Sequence, residues 1–164
     1  VAALIQSKRV LEGIRAVGPM ADVQLLVVGD GPLRDEVDAA GRSLVGQRYR
    51  RITVPFEQMP TLYASADVLL HMSKDEPFGN IYVEALAAGL PVVAHDWVST
   101  RWLFEDQGLL VDTDDPESVR NALRRAFGLK SAAQVAARRD LVNRRFTWKV
   151  IAEDYAACLR TLLT

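Results

Sequence analysis

Residues 76–93 read EPFGNIYVEALAAGLPVV, and this stretch predicts one short helix with an acidic residue on each side of its start. Pro77 and Gly79 disfavour helix before residue 79, and Gly89 ends the run of helix formers that follows. The helix therefore begins near Asn80. Its first amides lack partners within the helix and lie at the positive end of its dipole, which suits a diphosphate.

The acidic residues predict the two ends of an extended ligand. Glu84 lies on the same helix face as Asn80, roughly 6 Å further along the axis, which is a distance suited to a ribose whose hydroxyls it would accept. Glu76 precedes the helix and would face a sugar. The phosphates between them would contact the backbone of Gly79, Asn80 and Ile81. Taken alone, a helical Glu is more often a solvated residue, and the combination is what indicates a site.

Along the rest of the chain, short apolar strands alternate with helices. We predict strands at residues 1–5, 23–28, 52–56, 68–71, 91–94 and 109–111, and helices at residues 8–17, 33–45, 59–65, 80–88, 100–104, 116–127, 132–145 and 149–163. This alternation is typical of an α/β fold with a Rossmann-like, doubly wound parallel sheet and helices on both faces. Ligands bind beyond the carboxyl ends of the strands in such sheets.

Further candidates follow two of these strands. Gly29 and Gly31 are candidates for a turn of phosphate-binding type, with a tight turn at the start of a helix as the alternative. A third glycine of the dinucleotide fingerprint is absent, which weakens an NAD interpretation. His71 ends a strand and is a candidate for contact with a sugar or phosphate. His71 and His95 match no metal-binding motif together with their neighbouring acids, so we expect no metal cofactor.

The composition favours a compact protein with a small-molecule ligand. The 164 residues are 49% hydrophobic and 25% charged with a net charge of −1, which gives no global reason to expect nucleic acid or an anionic membrane as partner. No apolar run is long enough for a membrane span, and the start of the sequence shows no n-region and h-region of a secretory signal, so we expect a cytoplasmic protein. The basic cluster at residues 138–149 is most simply a solvated helix face, although contact with a membrane surface stays open.

The single cysteine, Cys158, excludes an internal disulfide and a cysteine-based metal site. Apolar residues recur around it at helical spacing, which predicts a buried thiol.

Several motifs together resemble one enzyme family. The pattern of Glu76, seven intervening residues and Glu84, followed by ALAAGLPVV, resembles the hallmark of the retaining glycosyltransferases of family 4, whose fold is the two-domain GT-B fold. The segments LVVGDGP (26–32), LYASADV (62–68), GLLV (108–111) and FTW (146–148) also resemble the C-terminal, donor-binding domain of that family. The resemblance covers most of the chain.

The resemblance implies a function and roles for individual residues. It implies transfer of a sugar from a nucleoside diphosphate donor, such as a UDP or GDP sugar, to an acceptor hydroxyl in polysaccharide or glycolipid synthesis, without a metal. Lys8 matches a family lysine that contacts the donor phosphates, and Glu76 would orient the sugar. Phe78, in the same loop, is implied to contact the donor, as Glu84 is to contact its ribose.

The length and the resemblance together predict a single donor-binding domain over residues 1–164. A two-domain enzyme of this kind needs about twice this length, so we expect a fragment that lacks the N-terminal acceptor-binding domain and is inactive alone. Such an enzyme would work in the cytoplasm, in some cases at the inner face of the membrane.

The chain departs from the family pattern at two places. Ala2-Ala3 stands where relatives carry Gly-Arg, which leaves Lys8 and the helix amides for the diphosphate, with Arg9 as a substitute for the missing arginine. Residues 95–102 lack the family's Gly-Gly pair, and we expect Thr100 and Arg101 at the rim of the crevice.

Two alternatives stay open at this point. One is another enzyme on the same architecture, such as a sugar-nucleotide epimerase, a phosphorylase, or a glycosidase that uses Glu76 and Glu84 as its acid pair. The other is a non-catalytic nucleotide-binding module.

Overall fold

The computed structural model describes residues 1–162, in which parallel strands alternate with helices. The strands are β1 (Leu25–Val28), β2 (Tyr49–Ile52), β3 (Leu69–His71), β4 (Val92–His95) and β5 (Gly108–Val111). The helices are α1 (Val10–Val17), α2 (Arg34–Leu44), α3 (Met59–Ser65), α4 (Asn80–Ala88), α5 (Val98–Phe104), α6 (Pro116–Phe127), α7 (Ala132–Arg145) and α8 (Trp148–Leu162). Short 3-10 turns cover Gln6–Lys8, Gly46–Arg48 and Phe56–Gln58.

The helices cover both faces of the sheet, as β4 shows most directly. Val92 and Ala94 pack into a core built with α4, α5 and α7, whereas Val93 between them packs into a core built with α1 and α6. Successive side chains of a strand point to opposite faces. The prediction of an α/β fold with parallel strands between two layers of helices is confirmed.

The strands form two parallel groups, one of β1 and β2 and the other of β3, β4 and β5. A cavity of about 810 Å³ lies between β1 and β3, and Val1 reaches its wall. Residues 1–5, which we predicted as the end of a strand, are not a regular strand. They run beside β1, where the amide of Ala2 donates to the carbonyl of Val28 (3.0 Å) and that of Leu4 to Asp30 (2.9 Å).

Most predicted elements are confirmed to within a few residues, but the strand predicted at residues 52–56 is wrong. The strand in this region is β2, which ends at Ile52. It is rich in arginine, so a pattern of apolar residues did not predict it. One of its two arginines is paired with α2, because Arg51 Nε donates to Asp38 (3.0 Å), and the Tyr49 hydroxyl donates to the same carboxylate (2.8 Å). The helix predicted from residue 8 begins at Val10, because Arg9 has a left-handed backbone with φ 52°.

The predicted burial of Cys158 is also wrong. The thiol is exposed, as are Tyr155, Leu159 and Leu162 on the same helix, α8. Helical spacing groups these residues on one face, but spacing cannot tell whether another part of the chain covers that face. Leu163, the last residue of the predicted helix, lies outside the described residues.

Gly89 fixes the end of α4 against α7. Its φ is 84°, and a Cβ at this position would lie 2.6 Å from Cγ1 of Val135. The buried guanidinium of Arg138 donates from Nε to the carbonyl of Gly89 (2.9 Å). The glycine in the ALAAGLP motif is therefore required by backbone conformation and by close packing.

We expect Gly89→Ala to lower the free energy of unfolding by about 1–3 kcal/mol, because the substitution adds both a strained backbone and an overpacked methyl group. Gly128→Ala is the matched control, since Gly128 ends α6 with an ordinary φ of −84° and its added Cβ would approach nothing closer than 3.4 Å. Urea unfolding followed by circular dichroism measures both variants. Equal stability of the two would contradict this account of Gly89.

Candidate functional site

A crevice of about 470 Å³ opens beside the carboxyl ends of β1 and β3 and the start of α4. The predicted site residues that line it are Lys8, Gly29, His71, Glu76, Gly79, Asn80, Ile81 and Glu84. These residues come from four separate segments of the sequence. The structure thus brings most of the predicted residues together at the edge of the sheet where ligands bind in such folds.

The open end of α4 forms one wall of this crevice. Gly79 precedes the helix with φ 76°, and a Cβ there would lie 2.5 Å from the ring of Tyr82 and 2.9 Å from Cγ of Glu76. The amide of Tyr82 donates to the carbonyl of Gly79 (2.9 Å), so the amides of Asn80 and Ile81 precede this first turn. A glycine here lets the chain turn tightly onto the helix and leaves its positive end accessible to an anion.

Glu76 accepts hydrogen bonds from both Lys8 and His71. The Lys8 ammonium and Nε2 of His71 contact the same carboxylate oxygen, Oε2, the latter at 3.1 Å. Lys8 and Glu76 are each mostly buried, with side-chain exposures of 23% and 15%. The pair therefore ties the turn before α1 to the loop before α4.

The protonation states of this group follow from burial and hydrogen bonding. Burial of His71 lowers the pKa of its imidazole to about 4, against the opposing effect of Glu76, so the ring is neutral at pH 7. Burial alone would raise the pKa of Glu76, but the hydrogen bonds from Lys8 and His71 outweigh it and hold the pKa below its usual value. Glu76 is thus an ionised acceptor, and the neutral His71 donates from Nε2.

Glu84 lies at the other end of the crevice, on the helix that begins at Asn80. Its Oε2 accepts a hydrogen bond from the hydroxyl of Tyr63 on α3 at 2.8 Å. The sequence pattern indicates no role for Tyr63, although this residue belongs to the LYASADV motif. Nothing in a linear pattern links residues that lie 21 positions apart on different helices.

Phe78 and Gly31 do not line the crevice. Phe78 packs against Trp102 and Phe146, with ring centroids 6.5 and 5.8 Å away. A Cβ at Gly31 would lie 2.6 Å from the carbonyl oxygen of Leu4, so this glycine allows the N-terminal segment to approach the turn. Gly29 has the same structural requirement toward Ala2, in addition to its place in the crevice wall.

The expectation that Thr100 lies at the rim is wrong, because its side chain is buried and caps α5. Its Oγ1 donates to the carbonyl of His95 (2.7 Å) and accepts from the amide of Trp97 (3.0 Å). Arg101 is exposed and pairs with Asp96.

Arg9, the suggested substitute for the missing family arginine, does not line the crevice. It donates to Thr113 Oγ1 (3.0 Å) and to Asp114 (2.6 Å). The only cationic side chain in the crevice wall, within residues 1–162, is that of Lys8.

Thr53, Val54 and Met59 also line the crevice, although the sequence patterns did not indicate them. They follow β2, which ends at Ile52, whereas the strand predicted at residues 52–56 placed this end at Phe56. A correct boundary at Ile52 would have placed Thr53 and Val54 at the ligand-binding edge of the sheet.

Residues 1–162 contain neither a cluster of metal-binding side chains nor a membrane-spanning helix. No group of three or more His, Cys, Asp or Glu side chains is placed to hold a metal ion. None of the helices in this range is long and apolar enough to cross a membrane.

Residues 2–128 match the family model described as "Glycosyl transferases group 1". The chain is 32% identical over 149 residues to a GDP-mannose-dependent alpha-mannosyltransferase of Mycobacterium tuberculosis, with 88% of this chain and 36% of that protein covered. It is 30% identical over 151 residues to the lipopolysaccharide core biosynthesis glycosyltransferase LpsE of Rhizobium meliloti, with 89% and 44% covered. The chain thus spans less than half the length of these relatives.

The fold is similar to that of solved glycosyltransferases. HepE from Anabaena in complex with UDP superposes with a TM-score of 0.83 at 25% identity, over 98% of this chain and 47% of that one. Sucrose-phosphate synthase from Thermosynechococcus elongatus superposes with a TM-score of 0.86 at 26% identity, over 99% of this chain and 44% of that one.

The match to the family model covers most of the chain, and the sequence relatives agree with it. The chain therefore belongs to the group 1 glycosyl transferases.

Proposed function

We propose that this chain is the donor-binding half of a retaining glycosyltransferase. It would bind a nucleoside diphosphate sugar in the crevice and, with an acceptor-binding domain, transfer the sugar to an acceptor hydroxyl. The observation that carries the proposal is the placement of Glu76 and Glu84 on opposite sides of the open α4 N-terminus, with Lys8 in the same crevice.

The diphosphate would lie between the two acids. The amides of Asn80 and Ile81 and the positive end of α4 supply donors, and Lys8 supplies a full positive charge. Lys8 is already held in the crevice by Glu76, so little side-chain entropy remains to be lost when an anion binds.

The same groups would favour the transition state for sugar transfer. As the glycosidic bond breaks, negative charge grows on the terminal phosphate, and donors fixed beside it stabilise that charge more than they stabilise the bound substrate. In the proposed retaining mechanism the leaving phosphate receives the proton of the acceptor hydroxyl, so no carboxylate has to act as the base.

The two acids would have different partners. Glu76, next to the neutral His71, would accept hydroxyls of the transferred sugar, and His71 would limit its movement. Glu84, about 6 Å further along α4, would accept the ribose hydroxyls.

The comparisons support a nucleotide sugar as the donor but differ over its base. The curated relatives include enzymes described as GDP-mannose-dependent, and HepE was solved with UDP and with UDP-glucose. We propose a UDP or GDP sugar and a biosynthetic role in polysaccharide or glycolipid assembly. The transferase would then work in the cytoplasm, without a resident metal.

A glycosidase that uses Glu76 as the general acid of its acid pair with Glu84 fits less well. The general acid of such an enzyme needs a raised pKa, whereas the pKa of Glu76 is lowered by the hydrogen bonds from Lys8 and His71, which outweigh its burial. The family match also disfavours a non-catalytic nucleotide-binding module.

We expect calorimetric titration with UDP, GDP, ADP and their sugar conjugates to show binding of one nucleotide class. Glu84→Ala should weaken that binding by roughly tenfold or more, because it removes a charged acceptor of hydrogen bonds. Glu153→Ala, which changes an exposed glutamate on α8, is the matched control and should bind as the unmodified chain does. The donor site is wrong if Glu84→Ala binds equally well.

Lys8→Met should weaken binding of the diphosphate by roughly tenfold or more and leave binding of the corresponding nucleoside almost unchanged, since only the phosphates contact the ammonium. Lys149→Met replaces an exposed lysine and serves as the control. The same calorimetric assay measures each pair. An equal loss of affinity for the nucleoside would mean that Lys8 acts by holding the fold together.

We also expect the chain by itself to bind the donor weakly and to transfer no sugar, because the proposed acceptor site belongs to a further domain. A transfer assay with the radiolabelled nucleotide sugar that binds and a panel of sugar and lipid acceptors tests this. Measurable transfer by the 164-residue chain would contradict the proposal that the acceptor site belongs to a further domain.

A further inference from the structure

Tyr63 joins the hydrophobic core to the ligand crevice. Its ring is almost fully buried, with 3% of the side chain and backbone exposed, among core residues that include Leu69, Ala85 and Leu86. The hydroxyl at the end of this ring donates a hydrogen bond to Oε2 of Glu84, at a distance of 2.8 Å. The phenol therefore delivers one fixed hydrogen-bond donor to a carboxylate in the crevice wall.

The hydrogen bond has the ordinary length for an O–H···O contact, 2.8 Å between the two oxygens. Burial raises the pKa of Tyr63, and the hydrogen bond to Glu84 raises it further, so the hydroxyl keeps its proton at every pH at which the protein would work.

Glu84 needs such a partner more than a shorter side chain would. A glutamate on a helix surface has three rotatable bonds, and its half-buried position leaves part of that freedom. The bond to Tyr63 fixes Oε2, whereas the remaining acceptor capacity of the carboxylate stays available to the crevice. A ligand that bonds to a fixed carboxylate does not lose affinity through ordering it.

We propose that Tyr63 is a positioning residue that holds the Glu84 carboxylate in the orientation that accepts the ribose hydroxyls of a nucleoside diphosphate. The inference rests on the proposed function and extends it to a residue outside the crevice wall. Tyr63 does not line the crevice and would not touch the donor itself.

The hydroxyl can be separated from the ring by one substitution. Tyr63→Phe keeps the buried ring that packs in the core and removes only the donor to Glu84. Tyr49→Phe is the matched control, because it also removes a hydroxyl that donates to a carboxylate, that of Asp38 at 2.8 Å, but at a place that does not line the crevice. Thermal unfolding of each variant establishes that the fold is retained.

The readout compares two ligands that differ only in the ribose. For the nucleoside diphosphate that binds the unmodified chain, Tyr63→Phe should weaken affinity by roughly tenfold, whereas Tyr49→Phe should leave it unchanged. For the 2′,3′-dideoxy form of the same nucleotide, Tyr63→Phe and the unmodified chain should bind equally. A role confined to packing would weaken both ligands to the same extent.

A second variant tests the link through Glu84. In a Glu84→Ala background, Tyr63→Phe should cause no further loss of affinity, because the group that Tyr63 positions is gone. An additional loss there, an equal loss for both ligands, or full affinity of Tyr63→Phe for the ribose-bearing nucleotide would each overturn the inference. If the unmodified chain binds no nucleoside diphosphate, the proposed function fails and this inference fails with it. If the unmodified chain binds the nucleotide and Tyr63→Phe binds it equally well, only the inference about Tyr63 fails.

Discussion

The candidate site depends on the two hydrogen bonds that meet at one oxygen of Glu76. Through them the carboxylate connects the turn at residues 6–8, the end of β3 and the loop that leads into α4. A buried charge is tolerated only where it is paired, and here both a cation and a neutral imidazole satisfy it. This contact between distant segments holds the loop before α4 against the turn at residues 6–8 and the end of β3.

The same contact gives the crevice its polarity. The start of α4 and the Lys8 ammonium, which pairs with Glu76, supply donors of hydrogen bonds, and Glu76 and Glu84 place acceptors on either side of them. Donors flanked by acceptors match a nucleotide sugar, in which a diphosphate lies between two polyhydroxylated rings. Glu76, the start of α4 and Glu84 therefore follow one another along the chain in the same order as the sugar, the diphosphate and the ribose of the proposed ligand.

The sequence predicted the bounds of α4 and the position of an acidic residue on either side of its start, because proline, glycine and helix propensity act locally. It failed where tertiary contacts decide the outcome. The arginine-rich strand β2 is stabilised by Asp38 on α2, Thr100 turns inward to cap α5, and Cys158 lies on a helix face that the described residues leave exposed. The bond from Tyr63 to Glu84 was equally invisible, since it needs the relative placement of two helices.

A crystal structure of the chain with the nucleoside diphosphate that it binds would show whether the donor lies at the start of α4. We expect diphosphate oxygens within hydrogen-bond distance of the amides of Asn80 and Ile81 and of the Lys8 ammonium, with the ribose hydroxyls on Glu84. A nucleotide bound away from the start of α4, or one whose ribose does not contact Glu84, would contradict it.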